Sequence, residues 1–411
     1  MKSPHIICCC AIPALSSNDT KASLKVVHKH GPCSTLNQDK TIAAPTPTQI
    51  LLQDQSRVKS IHSRLSNPKT SGENDVKVID ATTIPAKDGS VVGSGSYIVT
   101  VGLGTPQKEL SLIFDTGSDI TWTQCQPCAT ICYKQMEQIF DPSQSTSYTN
   151  ISCSSSICSS LTSATGITPG CASSTCVYGI QYGDSSFSVG FFGAEKLTLT
   201  PYRGVQQYLL WLWPRQPRSL WWLGRNTWPS STGFLTFGGS ASKNSKFTPL
   251  STISAGPSFY GLDFTGISVG GTKLAISASV FSTAGAIIDS GTTITWLPPA
   301  AYSELRASFR KWMSNYPLTS ALGTLDTCYD LSSYSTISVP KIGFFFSSGI
   351  EVDIDATGIF YWSSISQVCL AFAGNSYATD VLIFGNVQQK TLEVFYDGSA
   401  GKVGFAPGGC S

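Results

Sequence analysis

Ile113-Phe-Asp115-Thr116-Gly117-Ser118-Asp-Ile-Thr-Trp122 and Ile287-Ile-Asp289-Ser290-Gly291-Thr292-Thr-Ile-Thr-Trp296 say nearly the same thing twice. Six of the ten aligned positions are identical, and two more exchange Ser for Thr. Each copy sets one carboxylate and a hydroxyl neighbour at the end of an apolar β-run, where Gly permits a tight turn. A single Asp-[Ser/Thr]-Gly triplet is a weak signal, since a chain this long holds one by chance with odds of roughly one in five. Taken singly, each Asp reads as a turn residue after a strand. The repeat, with its shared lead-in and Ile-Thr-Trp tail, instead implies two related lobes, each giving one Asp to a common site between them.

Two like charges at about 3 Å cannot both ionise cheaply, so one carboxyl keeps a proton while the other loses it. The ionised member takes a proton from a water held between them, and the neutral one polarises a peptide carbonyl. Roles reverse as the leaving amine collects its proton. The hydroxyls of Thr116 and Ser290 are expected to tie the two loops together, and Gly117 and Gly291 to let backbone amides approach the carboxylates. This chemistry requires no metal and no cofactor.

The chain has 411 residues, enough for two domains with large cores. Charged residues make up only 13%, about half of the usual ~25%, and the net charge of +2 gives no field for nucleic acid. Abundant Gly, Ser and Thr with frequent β-branched residues predict an all-β fold with many turns. All four histidines (His5, His28, His30, His62) precede residue 89, so the body has none. That removes Ser-His-Asp, Cys-His and His-ligated metal chemistry from it.

Residues 1–17 read as a short secretory signal, with Lys2 before the apolar Ile6 to Leu15. Residues 18–88 read as a propeptide. Leu24 to His30 suggests a strand, and Gln49 to Leu65 an amphipathic helix carrying Arg57, Lys59 and Arg64. The plainer reading is a solvated linker. The propeptide reading has these cations sitting against an acidic cleft until low pH weakens the attraction. An N-terminal β lobe is expected over 89–240 and a C-terminal one over 241–411, where Ser303 to Ser314 is one of few helical candidates.

Seven cysteines crowd between Cys125 and Cys176: Cys125, Cys128, Cys132, Cys153, Cys158, Cys171 and Cys176. Cys328, Cys369 and Cys410 follow. Cys125-x-x-Cys128 with Cys132 also fits zinc spacing. Ser/Thr-rich flanks, the secretion cues and the count favour a disulfide-stapled insertion at 125–176, with its connectivity open. Asn18-Asp-Thr20 and Asn150-Ile-Ser152 are glycosylation triplets.

With these residues in hand, the chain resembles the pepsin-like aspartic endopeptidases of the plant, nepenthesin-type branch. Asp115-Thr-Gly and Asp289-Ser-Gly match that family's two active-site motifs. The resemblance implies a bilobal all-β fold with the active-site cleft between its lobes. It also implies an acid-active endopeptidase made as a zymogen, acting on peptides and held by its own propeptide. A monomer, secreted or vacuolar, is the expected form. Tyr182, in Gln181-Tyr-Gly-Asp184-Ser-Ser, matches the flap tyrosine, and Trp122 the tryptophan whose indole N–H bonds it. Ser23 to Cys33 resembles the family's propeptide, and the cysteine cluster its insertion. Ile383-Phe-Gly385-Asn386 resembles the apolar-apolar-Gly element that cradles the active-site strand.

Pro201 to Ser231 departs from the pattern. It holds five of the nine tryptophans and four of the body's six arginines, and no acid. Relatives carry a longer Gly-rich segment here, with two further cysteines and the first lobe's own apolar-apolar-Gly element. A Trp-, Arg- and Pro-rich run is what Gly-rich codons give in another frame, so a frame-altered gene is one reading and an unusual surface loop the other. Losing the cradle would misalign Asp115, and about 1 Å of error can cost ~100-fold in rate. A pepsin-fold binding or inhibitory protein without turnover, or a defective product, are therefore the rivals to an active protease.

Overall fold

The β-branched and aromatic runs pair into several sheets, the largest of which draws strands from both halves of the chain. The structure is a computed structural model and describes residues 22–29, 45–66, 97–128, 132, 135, 137–182, 187–198, 220–223, 232–237, 240–251, 259–283, 285–390 and 392–407. The expected signal at 1–17, Asn18, Cys410 and most of 201–231 lie outside the described residues.

One antiparallel sheet joins the two halves. Its strands run in the order Lys246–Pro249, Lys402–Pro407, Leu392–Asp397, Leu220–Leu223, Thr232–Phe237, Ala22–His28, Tyr97–Leu103, Lys108–Phe114. The leader strand Ala22–His28 sits inside this order, with Val26 opposite both Gly233 and Val99. Val26 and Val27 are buried there, in keeping with an apolar strand read from the sequence.

The second half is built around a mixed sheet ordered Tyr260–Leu262, Ala286–Ile288, Leu382–Phe384, Thr295–Leu297, Phe372–Gly374. Ala286–Ile288 lies between an antiparallel neighbour and the parallel Leu382–Phe384 strand. It is buried on both faces, which is why it reads as a continuous apolar run. The Pro299–Trp312 helix packs Ala301, Leu305 and Phe309 into the same core, each fully buried. Pro299 at its first turn costs no hydrogen bond, because that N–H has no partner within a helix.

The leader helix spans Pro47–Ser66. Thr46 and Gln49 close its start reciprocally: Gln49 N donates to Thr46 Oγ1 at 3.3 Å, and Thr46 N to Gln49 Oε1 at 2.8 Å. Its buried face is Ile50, Leu51, Asp54, Val58 and Ile61, one helical stripe with a carboxylate in it. Leu51, Val58 and Ile61 pack against Ile294, Trp296, Leu322 and Ile383 of the second half. Each contributes roughly 1.5–3 kcal/mol by leaving water.

Disulfides join Cys128 to Cys132, Cys153 to Cys171, Cys158 to Cys176 and Cys328 to Cys369. Cys125 corrects the sequence reading: it was expected in a bridge, yet carries a free thiol. Cys128 and Cys132 close on each other over four residues, which leaves Cys125 out. Burial raises its thiol pKa, so it is a poor thiolate. Among the described residues no helix is long and apolar enough to cross a membrane.

The Cys328–Cys369 bridge spans 41 residues and ties facing positions of two adjacent strands. Replacing both with Ser should lower unfolding free energy by about 4 kcal/mol, the loop-entropy value for such a span. Urea unfolding of the double variant measures it, and an unchanged midpoint would contradict that value.

Candidate active site

The two repeats meet head to head. Thr116 N donates to Ser290 Oγ at 3.0 Å, and Ser290 N returns the bond to Thr116 Oγ1 at 2.9 Å. Ser290 Oγ also donates to Phe114 O at 3.3 Å. These crossed bonds fix the separation of the two loops, as hydroxyl neighbours of the acids were expected to do.

Each carboxylate is held by its own loop in the same way. Gly117 N donates to Asp115 Oδ1 at 2.9 Å and Ser118 Oγ to Asp115 Oδ2 at 2.6 Å. Gly291 N donates to Asp289 Oδ1 at 3.0 Å and Thr292 Oγ1 to Asp289 Oδ2 at 2.5 Å. The glycines are required for the approach of the opposite lobe. A Cβ on Gly117 would sit 2.8 Å from Asp289 Oδ1, and one on Gly291 would run into Asp115.

Between the carboxylates stands the guanidinium of Arg57, from the leader helix. Its Nη2 donates to Asp115 Oδ1 at 2.7 Å and to Asp289 Oδ2 at 2.9 Å. Nη1 reaches Asp115 Oδ2 at 3.0 Å and Nε reaches Asp289 Oδ2 at 3.1 Å. A cation thus occupies the place where the sequence reading put a shared water. Burial opposes the Arg57 charge, but Asp115 and Asp289 outweigh it and raise its pKa above the usual value. Burial pushes Asp115 up, yet Arg57 and the Ser118 hydroxyl hold it down at about 2. Asp289 is raised, because burial and the neighbouring Asp115 exceed the pull of Arg57.

A second carboxylate anchors the same helix. Asp54, only 2% exposed, accepts from Thr293 N at 2.5 Å, Trp296 Nε1 at 3.1 Å and Ile294 N at 3.4 Å. Burial raises it to about 6 against the pull of these donors. His62 adds a contact about two turns further on, Nε2 to Val381 O at 3.0 Å. Of the three leader cations singled out from sequence, Arg57 alone enters the pair; Arg64 stacks over Phe259 instead. Asp54 was missed, although an acid on an apolar helical stripe was a readable sign.

Trp122 Nε1 donates to Tyr182 Oη at 2.6 Å, so these two residues meet as the resemblance implied. Residues 183–186, the rest of the expected flap turn, lie outside the described residues.

The lobes differ beneath the carboxylates. Asp289 follows a strand flanked on both sides, with Gly385 and Asn386 behind it and Asn386 Nδ2 donating to Ser290 O at 3.1 Å. Asp115 follows Lys108–Phe114, which among the described residues pairs only with Tyr97–Leu103. Ile287 is fully buried, while its repeat partner Ile113 is 45% exposed. Accordingly Ile287→Ala should cost about 2–5 kcal/mol, the range for a filled core site, whereas Ile113→Ala should cost under about 1 kcal/mol. Equal losses in urea unfolding would contradict this asymmetry.

Comparison with known proteins places this arrangement among relatives. Residues 97–209 match the family profile described as xylanase inhibitor N-terminal, and 259–407 the one described as xylanase inhibitor C-terminal. An aspartyl protease family protein of Arabidopsis thaliana is 54% identical, covering 96% of this chain and 89% of its own. Its alignment spans 424 positions against 411 residues here, so the relative carries residues that this chain lacks. Aspartic proteinase nepenthesin-2 of Nepenthes gracilis is 33% identical over 77% of this chain and 78% of its own. The crystal structure of basic 7S globulin from soybean shares the fold, with a TM-score of 0.57 at 18% identity over 78% of this chain and 92% of that one. The first profile match ends inside the Trp-rich segment.

Proposed function

Because this chain belongs to the aspartyl protease family, with a pepsin-like fold, we propose that it is the zymogen of an acid endopeptidase acting through Asp115 and Asp289. The carrying observation is the Arg57 guanidinium, bonded to both carboxylates from a helix that fills the cleft. In this reading residues 18–88 are the propeptide, and Asp115 and Asp289 are the catalytic residues. When the helix leaves, the two carboxyls share one proton between them, at the separation that the Thr116–Ser290 bonds set. One activates water and the other polarises the scissile carbonyl. Tyr182 and Trp122 cover bound peptide, and the product amine leaves with the returned proton. Secretion or delivery to a vacuole suits the disulfides and the acid optimum.

Latency follows from charge. Arg57 stabilises the ionised carboxylates, so the docked pair binds protons less readily than the released pair. Docking is therefore strongest above the released Asp289 pKa and is lost as pH falls toward the docked Asp115 value of about 2. Asp54 works with the opposite sign. Its docked pKa of about 6 exceeds the usual 3.8, so its contribution grows as pH falls from about 6 to about 4. Release consequently belongs below about pH 4, where Asp54 gives no further gain and the pair continues to protonate.

Wild type should show a lag in cleaving a quenched fluorescent peptide at pH 5, abolished by prior exposure to pH 3. Arg57→Ala should cleave at pH 5 without a lag. Asp289→Asn should lose at least about 10³-fold in kcat under every regime. A persistent lag in Arg57→Ala would remove the cation from the latency mechanism.

A second reading, a pepsin-fold binding protein without turnover, is favoured by the exposed Ile113 and by the one-sided pairing of the Asp115 strand among the described residues. Failure of the acid-treated chain to cleave any peptide, with native folding by circular dichroism, would select it. Transcript sequencing across codons 200–232 tests whether the Trp-rich segment is a frame alteration.

A further inference from the structure

The Asp54 anchor is a pocket in its own right. Thr293 N, Ile294 N and Trp296 Nε1 converge on a single carboxylate. Thr293 and Trp296 belong to the second repeat itself, and both are almost fully buried at 2% and 4% exposure. Thr293 Oγ1 is also buried and lies beside the same carboxylate. Departure of the leader helix leaves three N–H donors and this hydroxyl turned to the cleft. A donor that bound peptide shuts off from water without offering an acceptor costs about 1–3 kcal/mol, so these groups favour a ligand that supplies one.

We propose that, once the helix is gone, Thr293, Ile294 and Trp296 form a specificity pocket for a carboxyl side chain of the substrate. The inference rests on the hydrolase reading above and deepens it. Asp54 lies one helical turn from Arg57, and residues so spaced have Cβ atoms about 5–6 Å apart. An extended peptide advances about 3.3 Å per residue. The carboxyl group recognised is therefore that of a residue about two positions from the scissile bond. Three N–H groups fit the acceptors of an ionised acid. For the neutral acid, the carbonyl takes N–H groups and the O–H turns to Thr293 Oγ1. The leader Asp54, half protonated near pH 6, makes both forms relevant in this pocket. The apolar wall of Leu322, Ile383 and Val387 then lines the rest of the groove the helix vacates.

The test uses the full chain after acid activation. Matched peptides carry a fixed apolar scissile pair, with Asp or its near-isostere Leu at the second or third residue on either side. At one of these positions the Asp peptide should show a kcat/KM about tenfold above the Leu peptide. Trp296→Phe keeps the ring and removes the N–H, and should bring that ratio close to 1. Thr293→Val, isosteric and confined to the hydroxyl, should lower the ratio at pH 3.5 more than at pH 5.5. Equal cleavage of Asp and Leu peptides at all positions overturns the pocket while leaving the hydrolase intact. A ratio that both variants leave unchanged does the same. No cleavage of any peptide overturns the hydrolase reading, and this one with it.

Discussion

Two carboxylates forced together inside a protein repel each other and resist losing water, and the structure answers both costs with one guanidinium. Arg57 supplies donors to both acids from a single planar group, which a lysine ammonium would match only as a point charge. The geometry that lets it do so is set by the crossed Thr116–Ser290 bonds and by two glycines with no side chain to intrude. The leader helix, its apolar stripe and its Asp54 anchor all serve to deliver that one group. Anchoring by Asp54 and insertion of Arg57 carry opposite responses to protons, so the helix is held by two devices that acid treats differently.

The duplicated Asp-[Ser/Thr]-Gly turns could be read directly because their chemistry is local: an apolar strand, an acid, a hydroxyl, a glycine. Pairing across the lobes followed from the repetition. The leader helix was legible from its periodicity, and the structure extends it only slightly to Pro47–Ser66. Which of Arg57, Lys59 and Arg64 would enter the acid pair was not legible. That depends on helix rotation about its axis, which is fixed by packing of Leu51, Val58 and Ile61 on another lobe. Asp54 was hidden for the related reason that its three donors lie some 240 residues away in sequence. Cys125 was miscounted because the identity of a cysteine's partner is a property of loop geometry rather than spacing.

The two lobes descend to unequal foundations. Beneath Asp289 a strand is sandwiched, its isoleucines are dry, and an asparagine grips the loop from behind. Beneath Asp115 the matching isoleucine is half in water. A near-symmetric pair of acid turns thus stands on asymmetric supports. Among the described residues Asp115 is carried by a strand with a single partner.

The leader strand Ala22–His28 is held differently from the helix that follows it. It is bonded along both edges, to Tyr97–Leu103 and to Thr232–Phe237, within the sheet that unites the halves. On the proposed zymogen reading, scission on both sides of the helix, before Pro45 and after Ser66, would free the helix yet leave this ribbon stitched in place. The product would then be a two-chain particle, with a leader strand kept as a permanent rib of the sheet that joins its halves.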